Sequence, residues 1–565
     1  MAIEPKNAGT ESSKSSGFGD TLGRNGAVQA LVEGSSAPAL AKPPFLLTIV
    51  FVGGMSVMAT ELCASRLLAP YFGTSLLIWA NIIGFVIVYL AIGYYLGGRL
   101  ADRFPRPEVL YQLTAFAGLA MGLIPFLTRP ILDIAYDAFR NVNGGIFYGS
   151  LVGILLLFSA PVILLGCVTP FAVHLRARNV TNTGKAAGGI SSLSTIGSIL
   201  GTFIPALILI PLVGTRTTMY AFSLVLLAFS TVGLFLLRSR RVPVYAGFMA
   251  IILALAVLTI QGVTRPAVNG ELVFEKESAD NYIQVVKRPV GDGTFRFDLV
   301  LNEGRAVHSI YYQDPNRILT GGPWDYYMIS PFFNKDIKET TIKRSMLIGL
   351  GAGTVSKQLT RAYGANIQIE GIEVDPEIIE VGRKYFDMNE PNLKAIADDG
   401  RYYLITSKEK YDIIGMDAYK QPYIPFHLTT QEFFKQVRDH LTPTGVAVVN
   451  AGAPEYAGGK RDYRLVEALA STMKTVYPNV YLVNVDGYFN TMVIGTNQPT
   501  SIENFRENIT KYVSNDLIKT VGATALEKGD IREWTKADAF FTDDLAPVER
   551  VIDTIILDYA LGGGK

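Results

Sequence analysis

Residues 345–376 read SMLIGLGAGTVSKQLTRAYGANIQIEGIEVDP, and this stretch decides the fold of the second half of the chain. A short apolar run ends in three closely spaced glycines, Gly349, Gly351 and Gly353. An amphipathic segment follows, and a second apolar run ends at Glu373. The pattern predicts a strand, a glycine turn, a helix and a second strand, with an acid roughly 20 residues beyond the turn.

The glycine turn and the acid beyond it predict a nucleoside-binding site. Glycines adopt positive φ and let a ligand approach the backbone, while the amides of the helix start face that ligand. A carboxylate at Glu373 can accept hydrogen bonds from both hydroxyls of a ribose. Thr354 stands where the dinucleotide fingerprint has its third glycine, so the spacing favours a nucleoside without a pyrophosphate, such as an S-adenosyl compound. The alternative is a purely structural turn.

The composition places part of the chain in lipid. Charged residues are 18% of the 565 residues, and the mean hydropathy is +0.27. The net charge of +1 argues against a nucleic-acid partner, which requires a basic face. Cys63 and Cys167 both lie in apolar segments, so the polar half has no disulfide framework or zinc site. The four histidines lack metal-ligand spacing, and we predict no metal.

The first 262 residues divide into a polar tail and a membrane domain. Residues 1–43 are rich in Ser, Gly, Ala and Lys without an apolar signal-peptide core, which predicts a disordered tail. Residues 44–262 predict a transmembrane domain of about seven helices, because they contain apolar segments long enough to span a bilayer. The segments are Phe45–Ala69, Leu76–Gly98, Leu110–Leu127, Phe147–Val173, Ile190–Val213, Met219–Leu237 and Tyr245–Gly262. Pairs of small residues predict close helix packing at Gly93 and Gly97 and at Gly197 and Gly201.

An acid, Glu61, lies inside the first apolar segment. A carboxylate in lipid is costly and usually faces a bundle interior or a water-filled cavity. Glu61 therefore either marks a substrate or proton path or is a structural partner of Arg66 or Arg99.

The loop charges favour one orientation in the membrane. Lys and Arg concentrate before the first segment and after the second, fourth and sixth, whereas the opposite loops carry only Arg129, Arg140 and Arg216. With seven spans, the positive-inside rule puts the tail in the cytoplasm and the polar half outside. An S-adenosyl substrate instead favours the cytoplasm for the polar half, and an eighth span or a re-entrant segment would reverse the orientation.

Beyond residue 262 the chain turns polar and predicts two further domains. Alternating residues in Tyr282–Lys287 and Thr294–Leu301 flank a turn at Gly291–Gly293, so residues 263–330 are predicted to form a small β-hairpin domain. Residues 331–565 repeat strand and helix. The repeat predicts an α/β Rossmann-like domain of the S-adenosyl-binding, methyltransferase-like kind, with a parallel sheet and helices on both faces.

The elements of the α/β domain follow from its apolar runs. The predicted parallel strands are Met346–Leu350, Ile367–Glu373, Leu393–Ala397, Tyr411–Met416, Val446–Asn450 and Val480–Val485. A final run, Thr491–Ile494, follows a short turn at Gly487 and is predicted to pair antiparallel with its predecessor. Thr429 and Glu432 predict a capping box for a helix beginning at Thr430, and Thr500–Lys565 is predicted to be mostly helical.

Acids follow the carboxyl ends of three predicted strands: Glu373, then Asp398 and Asp399, then Asp417. Because ligands of open α/β sheets bind beyond those ends, four carboxylates at one mouth predict a cationic ligand. Asp399 with Gly400 suits the adenine amino group, since glycine lets the base lie close. Asp417 is placed to hold an amine and take its proton. For Asp399, the alternative is that it only caps a helix.

These residues resemble the spermidine synthase family, the polyamine aminopropyltransferases, and more closely its membrane-fused bacterial members. The resemblance covers about Glu271 to Glu549. The matching motifs are IGLGAG, GIEVDP, DDGR from Asp398, YDIIGMDAY from Tyr411, IPFHLTTQEFF from Ile424 and TDDLAPVE from Thr542. It implies a multi-pass protein of the bacterial inner membrane, although it supplies no function for the apolar half.

The resemblance implies transfer of an aminopropyl group from decarboxylated S-adenosylmethionine to an amine, with release of methylthioadenosine. The donor is then a co-substrate and not a tightly bound cofactor. Glu373 would hold the ribose and Asp399 the adenine, with Gly349, Gly351, Gly353, Asp398 and Gly400 beside them. Asp417 would be the catalytic acid that orients and deprotonates the amine. This agrees with the residue chemistry, because a protonated amine is no nucleophile until a carboxylate takes its proton.

The sequence departs from the family pattern at several positions. Ala352 stands where soluble members carry an Asp that grips the amino group of the donor, and Lys420 replaces their second acidic residue. His308 stands near a common family glutamine, and Asp325, Tyr326 and Tyr327 replace a tyrosine and glutamine pattern. His308, Tyr326 and Tyr327 predict a substrate-binding amine channel, with burial in the core as the alternative for the aromatic residues.

Four functions remain open on the sequence. The first is a membrane-anchored, aminopropyltransferase-like enzyme with an altered substrate. The second is methyl transfer from S-adenosylmethionine, because Ala352 no longer selects the decarboxylated donor. The third is a catalytically degenerate scaffold subunit, as a homo-oligomer or in a membrane complex, and the fourth is transport involving Glu61. The predicted partners are the lipid bilayer and a small amine or polyamine.

Overall fold

The computed structural model describes residues 43–72, 76–139, 145–177, 183–260, 265–291, 293–302, 306–419, 423–455 and 460–560. Residues 1–42 of the predicted tail, and Lys420, lie outside these stretches.

The apolar half forms a bundle of helices. Its helices are α1 (Pro43–Phe72), α2 (Leu76–Arg103), α3 (Pro107–Phe139), α4 (Gly145–Gly166), α5 (Val168–Arg176), α6 (Thr183–Ile204), α7 (Ile210–Leu236) and α8 (Val242–Ile260), with a π-helical turn at Pro205–Leu209. Among the described residues, six helical stretches are long and apolar enough to cross a membrane. A Cβ at Gly201 would lie 2.1 Å from the carbonyl oxygen of Met55, and one at Gly93 would lie 2.4 Å from that of Ile163. The predicted close packing at small residues is confirmed.

The fifth helical stretch is too long for one straight crossing. It runs from Thr183 to Leu236, 54 residues, and a straight helix of that length would measure about 80 Å against a hydrocarbon core of about 30 Å. Gly214 interrupts it with a non-helical φ of 80° and ψ of 164°. The residues on either side, 183–213 and 215–236, form two arms that are each long enough to span a bilayer.

Glu61 lies in α1 without either of its two predicted partners. Arg66 donates hydrogen bonds to the backbone carbonyls of Ser278 and Ala279, and the guanidinium of Arg99 lies 4.3 Å from the centre of the Tyr95 ring. Within the described part of the chain, no ion pair joins Glu61 to either arginine.

The small β-domain is one antiparallel sheet. Its strands, in spatial order, are β1 (Glu271–Glu277), β2 (Tyr282–Pro289), β3 (Phe295–Leu301) and β4 (Val307–Tyr312). Strands β2 and β3 form the predicted hairpin, and Gly291 and Gly293 in its turn both have positive φ. Buried side chains of this sheet, including Ile283 and Leu299, pack with Ile378 of the following domain. The β-domain therefore lies against the α/β domain.

The α/β domain is built on an eight-stranded sheet with the order β12-β10-β11-β9-β8-β5-β6-β7. Its strands are β5 (Arg344–Ile348), β6 (Gln368–Glu373), β7 (Leu393–Ala397), β8 (Tyr411–Met416), β9 (Leu441–Gly452), β10 (Asn479–Asn484), β11 (Asn490–Thr496) and β12 (Arg532–Trp534). Strands β5 to β9 are parallel, whereas β10 to β12 pair antiparallel. Every residue of β8 is buried, as expected for a central strand covered on both faces. The predicted Rossmann-like sheet and its antiparallel final strand are confirmed.

Helices cover both faces of this sheet. They are α9 (Thr354–Tyr363), α10 (Pro376–Tyr385), α11 (Gly400–Thr406), α12 (Gln431–Asp439), α13 (Arg464–Lys474), α14 (Ile502–Glu507), α15 (Asp516–Lys528) and α16 (Val548–Ala560). Short 3₁₀ turns lie at Pro323–Phe333, Glu339–Thr341 and Phe426–Leu428, and a π-helical turn lies at Asn508–Tyr512.

Residues 529–547 differ from the predicted mostly helical tail. Arg532–Trp534 pairs with β10 as an edge strand, and the residues from 535 to 547 form neither helix nor strand. The segment lacks an apolar repeat of helical period, so backbone pairing at the sheet edge takes the place of helix formation.

The predicted capping box at Thr429 and Glu432 is wrong by one residue. Thr430 caps α12, because its hydroxyl accepts a hydrogen bond of 3.2 Å from the amide of Phe433. The carboxylate of Glu432 instead accepts the amide hydrogen of Asp543 over 2.9 Å. Thr429 is occupied by the preceding turn, where its hydroxyl donates to the carbonyl of Phe426 over 2.7 Å.

Candidate active site

The glycine turn lies at the carboxyl edge of the parallel strands, between β5 and α9. Gly349 and Gly351 have φ of 88° and 56°, a region that residues with a Cβ rarely adopt. A Cβ at Gly349 would lie 2.5 Å from the carbonyl oxygen of Asp417. Glycine therefore allows the ends of β5 and β8 to approach each other. Gly353, with φ of 89°, is the N-cap of α9 and does not line the cavity described below.

Glu373 is held at the end of β6 by the turn. Its Oε2 accepts the amide hydrogen of Gly351 over 2.9 Å, and its Oε1 accepts that of Asp375 over 3.3 Å. The side chain is buried, and this burial raises the pKa of Glu373 to about 7. The carboxyl is therefore positioned by the backbone next to the glycine turn.

Asp398, Asp399 and Gly400 follow β7. The Oδ1 atom of Asp399 accepts from the amides of Arg401 and Tyr402 over 3.0 and 2.9 Å, so Asp399 does cap α11. Its Oδ2 lies 3.2 Å from Nε2 of His427. A Cβ at Gly400 would lie 2.3 Å from a methyl carbon of Ile348.

Asp417 follows the central strand β8. Its Oδ1 accepts a hydrogen bond of 2.9 Å from the side-chain amide of Asn450, which in turn accepts one of 2.9 Å from Asn490. Burial raises the pKa of Asp417 to about 6, and the Asn450 hydrogen bond opposes that shift. Asn450 also accepts a hydrogen bond from the hydroxyl of Tyr419 through its backbone carbonyl, over 2.8 Å. Asp417 is thus a half-buried base held by a hydrogen-bond network.

A single cavity of about 270 Å³ joins these groups. Five acids line it, and among the described residues no lysine or arginine does: the acids are Asp280, Glu373, Asp398, Asp399 and Asp417. Trp324, Leu350 and Val355 contribute apolar surface. Within the described part of the chain, no group of three His, Cys, Asp or Glu side chains is arranged to hold a metal ion. The cavity is therefore suited to an organic cation.

The structure separates the three predicted substrate-binding residues. His308 lines the cavity, its Nε2 is buried without a hydrogen-bond partner, and burial lowers its pKa to about 4. Tyr326 and Tyr327 do not line the cavity. Their side chains are 3% and 1% exposed and belong to the core, where the Tyr327 hydroxyl donates to the carbonyl of Met416 over 3.1 Å. Their placement favours the core alternative.

Ala352, at the position of the family aspartate, also faces away from the cavity. It is 2% exposed and packs in an apolar cluster with Ile283 and Val381. Its amide donates to the hydroxyl of Ser309 over 2.9 Å. The glycine turn therefore presents no carboxylate of its own.

The sequence reasoning missed several residues of the site. Asp280 and Asn281 reach the cavity from the β-domain, and Asn450 reaches Asp417 from β9. An acid or amide in a turn between two strands carries no signal of its own. The position of Asn450 at the carboxyl end of a predicted strand could have indicated it.

Three of the motifs that resemble the spermidine synthase family meet around Asp543: DDGR, IPFHLTTQEFF and TDDLAPVE. The guanidinium of Arg401 donates to both carboxylate oxygens of Asp543, each over 2.7 Å. Arg401 also donates to the carbonyl of His427, and the hydroxyl of Thr430 donates to Asp543 over 2.6 Å. The network fixes the segment that carries His427 along the edge of the cavity.

Comparison with known proteins agrees with this arrangement. Residues 335–507 match the model of the spermine/spermidine synthase domain. The chain is 32% identical over 308 residues to a "Probable polyamine aminopropyl transferase" of Bifidobacterium longum, covering 51% of this chain and 65% of that protein. It is 30% identical over 152 residues to a polyamine aminopropyltransferase of Vibrio vulnificus, covering 26% of this chain and 49% of that protein. The chain thus spans slightly less than two thirds of the first relative and about half of the second.

A third relative resembles the chain over a longer range. "Polyamine aminopropyltransferase 2" of Aquifex aeolicus is 23% identical over 489 residues, which cover 81% of this chain and 88% of that protein. This alignment is longer than the β-domain and the α/β domain together, so it extends into the apolar half. The matched domain and these relatives show that residues 335–507 are similar to the spermine/spermidine synthase domain, and the strand-end acids around the glycine turn lie within that stretch.

Proposed function

We propose that this chain is a membrane-anchored, aminopropyltransferase-like enzyme that uses decarboxylated S-adenosylmethionine and a small amine or polyamine. The observation that carries the proposal is the acid-lined cavity at the glycine turn. A sulfonium donor and an ammonium acceptor are both cations, and a cation leaves water only where opposite charge compensates it. Five carboxyl groups provide that charge.

The donor fits the cavity through groups at its two ends. Glu373 accepts hydrogen bonds from the ribose hydroxyls, and the glycine turn leaves room for the sugar beside it. Asp399 offers its carboxylate to the adenine amino group, and Gly400, whose missing Cβ makes room for Ile348, lines the cavity beside it. His308, which its lowered pKa keeps neutral, offers the unpartnered Nε2 to the nucleoside.

Asp417 supplies the base that the reaction requires. The electron pair of the acceptor nitrogen forms a bond to the aminopropyl carbon next to sulfur, and the carbon–sulfur bond breaks with its electrons on sulfur. The products are neutral methylthioadenosine and a lengthened amine. The proton lost by the nitrogen passes to Asp417, which with a pKa of about 6 is largely ionised at neutral pH.

Methyl transfer from S-adenosylmethionine is the second candidate, and the position of Ala352 favours it. Residue 352 is an alanine that packs in an apolar cluster. The glycine turn therefore has no acidic side chain that would repel the carboxylate of S-adenosylmethionine. The two candidates differ in product. One releases methylthioadenosine and the other releases S-adenosylhomocysteine.

The experiment uses the purified full-length protein with each donor and a panel of diamines and polyamines. We expect methylthioadenosine from the decarboxylated donor, at a rate that rises with acceptor concentration. Release of S-adenosylhomocysteine alone would establish methyl transfer. If calorimetry detected no binding of any S-adenosyl compound to the folded protein, both enzymatic proposals would fail and a scaffold role would remain.

We infer a multi-pass membrane protein whose α/β domain lies on the side of the membrane opposite the basic loops. The break at Gly214 supports seven crossings, because it divides the longest helical stretch into two arms. The helix ends and loops on the far side from the β-domain contain many more basic residues: Arg99, Arg103, Arg106, Arg176, Lys185, Arg238, Arg240 and Arg241. By the positive-inside rule, the α/β domain then lies outside the cytoplasm.

A further inference from the structure

The turn between β1 and β2 contacts the membrane domain on one side and the cavity on the other. We call residues 277–281 the connecting turn. Glu277 ends β1, and Asp280 and Asn281 line the cavity.

Two residues of the membrane helices bind the connecting turn. The backbone amide of Thr215 donates to Oε2 of Glu277 over 2.9 Å, and the hydroxyl of Thr215 donates to Oε1. Arg66 in α1 donates to the carbonyl oxygens of Ser278 and Ala279. Thr215 directly follows the break at Gly214, so the arm that begins there starts on the β-domain.

The other side of the connecting turn binds the nucleoside end of the cavity. The hydroxyl of Ser278 donates to Oδ2 of Asp375 over 2.5 Å, and the side-chain amide of Asn281 donates to the same oxygen over 2.9 Å. The amide of Asp375 donates in turn to Glu373 over 3.3 Å. Hydrogen bonds that are joined through the backbone of the connecting turn and of Asp375 therefore link Thr215 and Arg66 to Glu373.

We propose that the membrane helices hold the connecting turn against the nucleoside site, which makes Arg66 and Thr215 positioning residues for the S-adenosyl donor. The inference rests on the proposed function, because it assigns the bound nucleoside to this cavity. A turn that is held on just one side samples other conformations. Ligand binding must then order it, at a cost in conformational entropy. The contacts from the helices order the turn in advance.

The test measures binding of methylthioadenosine to the full-length protein in detergent by calorimetry. In Arg66→Met with Thr215→Val, we expect the dissociation constant to rise about tenfold, as for the loss of one to two hydrogen bonds. Glu277→Gln should also raise the dissociation constant, because the side-chain amide of Gln presents a hydrogen-bond donor to Thr215, which itself donates. The conservative pair Arg66→Lys with Thr215→Ser should restore most of the affinity. In the enzymatic assay, KM for the donor should rise while kcat at saturating donor stays unchanged.

Arg240→Met is the matched control, because it removes an exposed cation from the opposite end of the membrane domain. It should leave the dissociation constant unchanged. If the wild-type protein binds the nucleoside and all the variants bind it equally well, the positioning role is wrong while the proposed function stands. If the wild-type protein binds no nucleoside, both are wrong. Unchanged thermal unfolding of a weakened variant would exclude general loss of fold as the cause.

Discussion

Asp417 and Glu373 both line the cavity, but they receive different hydrogen bonds. Glu373 accepts from two backbone amides of fixed position, whereas Asp417 accepts from one side-chain amide. Asp417 therefore keeps more of its hydrogen-bonding capacity for a ligand. This difference suits Glu373 for holding a neutral diol and Asp417 for receiving a proton.

Replacing Asp417 with Asn should lower kcat by about 10²–10⁴-fold, the usual contribution of a general base. In the wild-type protein, kcat at saturating donor should fall as the pH drops through about 6, because the base must be ionised. That acid limb should disappear in Asp417→Asn. The pH profile of methylthioadenosine release measures both effects.

Asp544→Asn is the control for this prediction, because Asp544 is an exposed acid of the TDDLAPVE motif. It should retain full activity. An Asp417→Asn variant with an unchanged rate would assign the base elsewhere.

Glu373→Gln should weaken binding of methylthioadenosine by about tenfold to a hundredfold, because hydrogen bonds to charged groups contribute about 1.5–3 kcal/mol. Gln keeps the shape of the side chain but loses the charge and one acceptor. Titration calorimetry at pH 8, above the raised pKa of Glu373, measures the full difference. At pH 5 the wild-type carboxyl is protonated, so the two proteins should bind more similarly.

The strand-end acids were predictable because parallel strands bring their carboxyl ends to one edge, whatever the side chains between them. The position of Asp280 was not predictable from the sequence, since it depends on how the β-domain packs on the α/β domain. Tyr326 and Tyr327 show the limit of motif position as a guide. They stand close to family positions in the sequence, but the 3₁₀ turn at Pro323–Phe333 directs them into the core.

At the scale of elements, the segment around Asp543 connects parts of the domain that are far apart in sequence. Asp543 binds Arg401 of α11 and Thr430 at the start of α12, and Glu432 binds its amide. The segment has neither helix nor strand, so these bonds determine its position. The TDDLAPVE segment therefore binds α11 and the start of α12 at the edge of the cavity, through the hydrogen bonds of Asp543.

Asp543→Ala should lower the free energy of unfolding of the α/β domain by about 1 kcal/mol, because the ion pair is partly exposed and solvent screens it. It should also weaken donor binding by a few fold, through the loosened His427 segment. Thermal unfolding and calorimetry of the same sample measure both effects. Asp544→Ala is the matched control. An equal loss of stability and donor binding in both variants would contradict the structural role given to Asp543.

The strands and helices of the α/β domain were largely predictable, because apolar runs of the right length lie between clear turn signals. The edge strand β12 was missed, since three residues carry no measurable period and pair only because β10 offers an open edge. The capping box was displaced because two threonines adjoin, and only the geometry of the preceding 3₁₀ turn decides which of them caps α12.

At the scale of the whole molecule, more basic residues lie at the end of the helix bundle away from the β-domain than at the end that contacts it. A reporter that is active only outside the cytoplasm, fused after Lys565, should therefore be active. Replacing Arg238, Arg240 and Arg241 with neutral residues should reduce that signal, because it weakens the charge bias. A reporter active only in the cytoplasm would contradict the loop-charge argument and put the cavity in the compartment that contains S-adenosyl compounds.

The attachment of the connecting turn to Arg66 and Thr215 also fixes how far the cavity stands from the ends of the apolar helices. Multivalent amines concentrate at anionic lipid headgroups, by about 1 kcal/mol for each positive charge, within a Debye length of about 10 Å. Under the proposed function, an acidic opening held within that distance of the headgroups would draw its acceptor from the adsorbed layer as well as from the bulk solution. Lipid composition and ionic strength then set the supply of substrate, and a detached α/β domain would lose this enrichment even with every cavity residue intact.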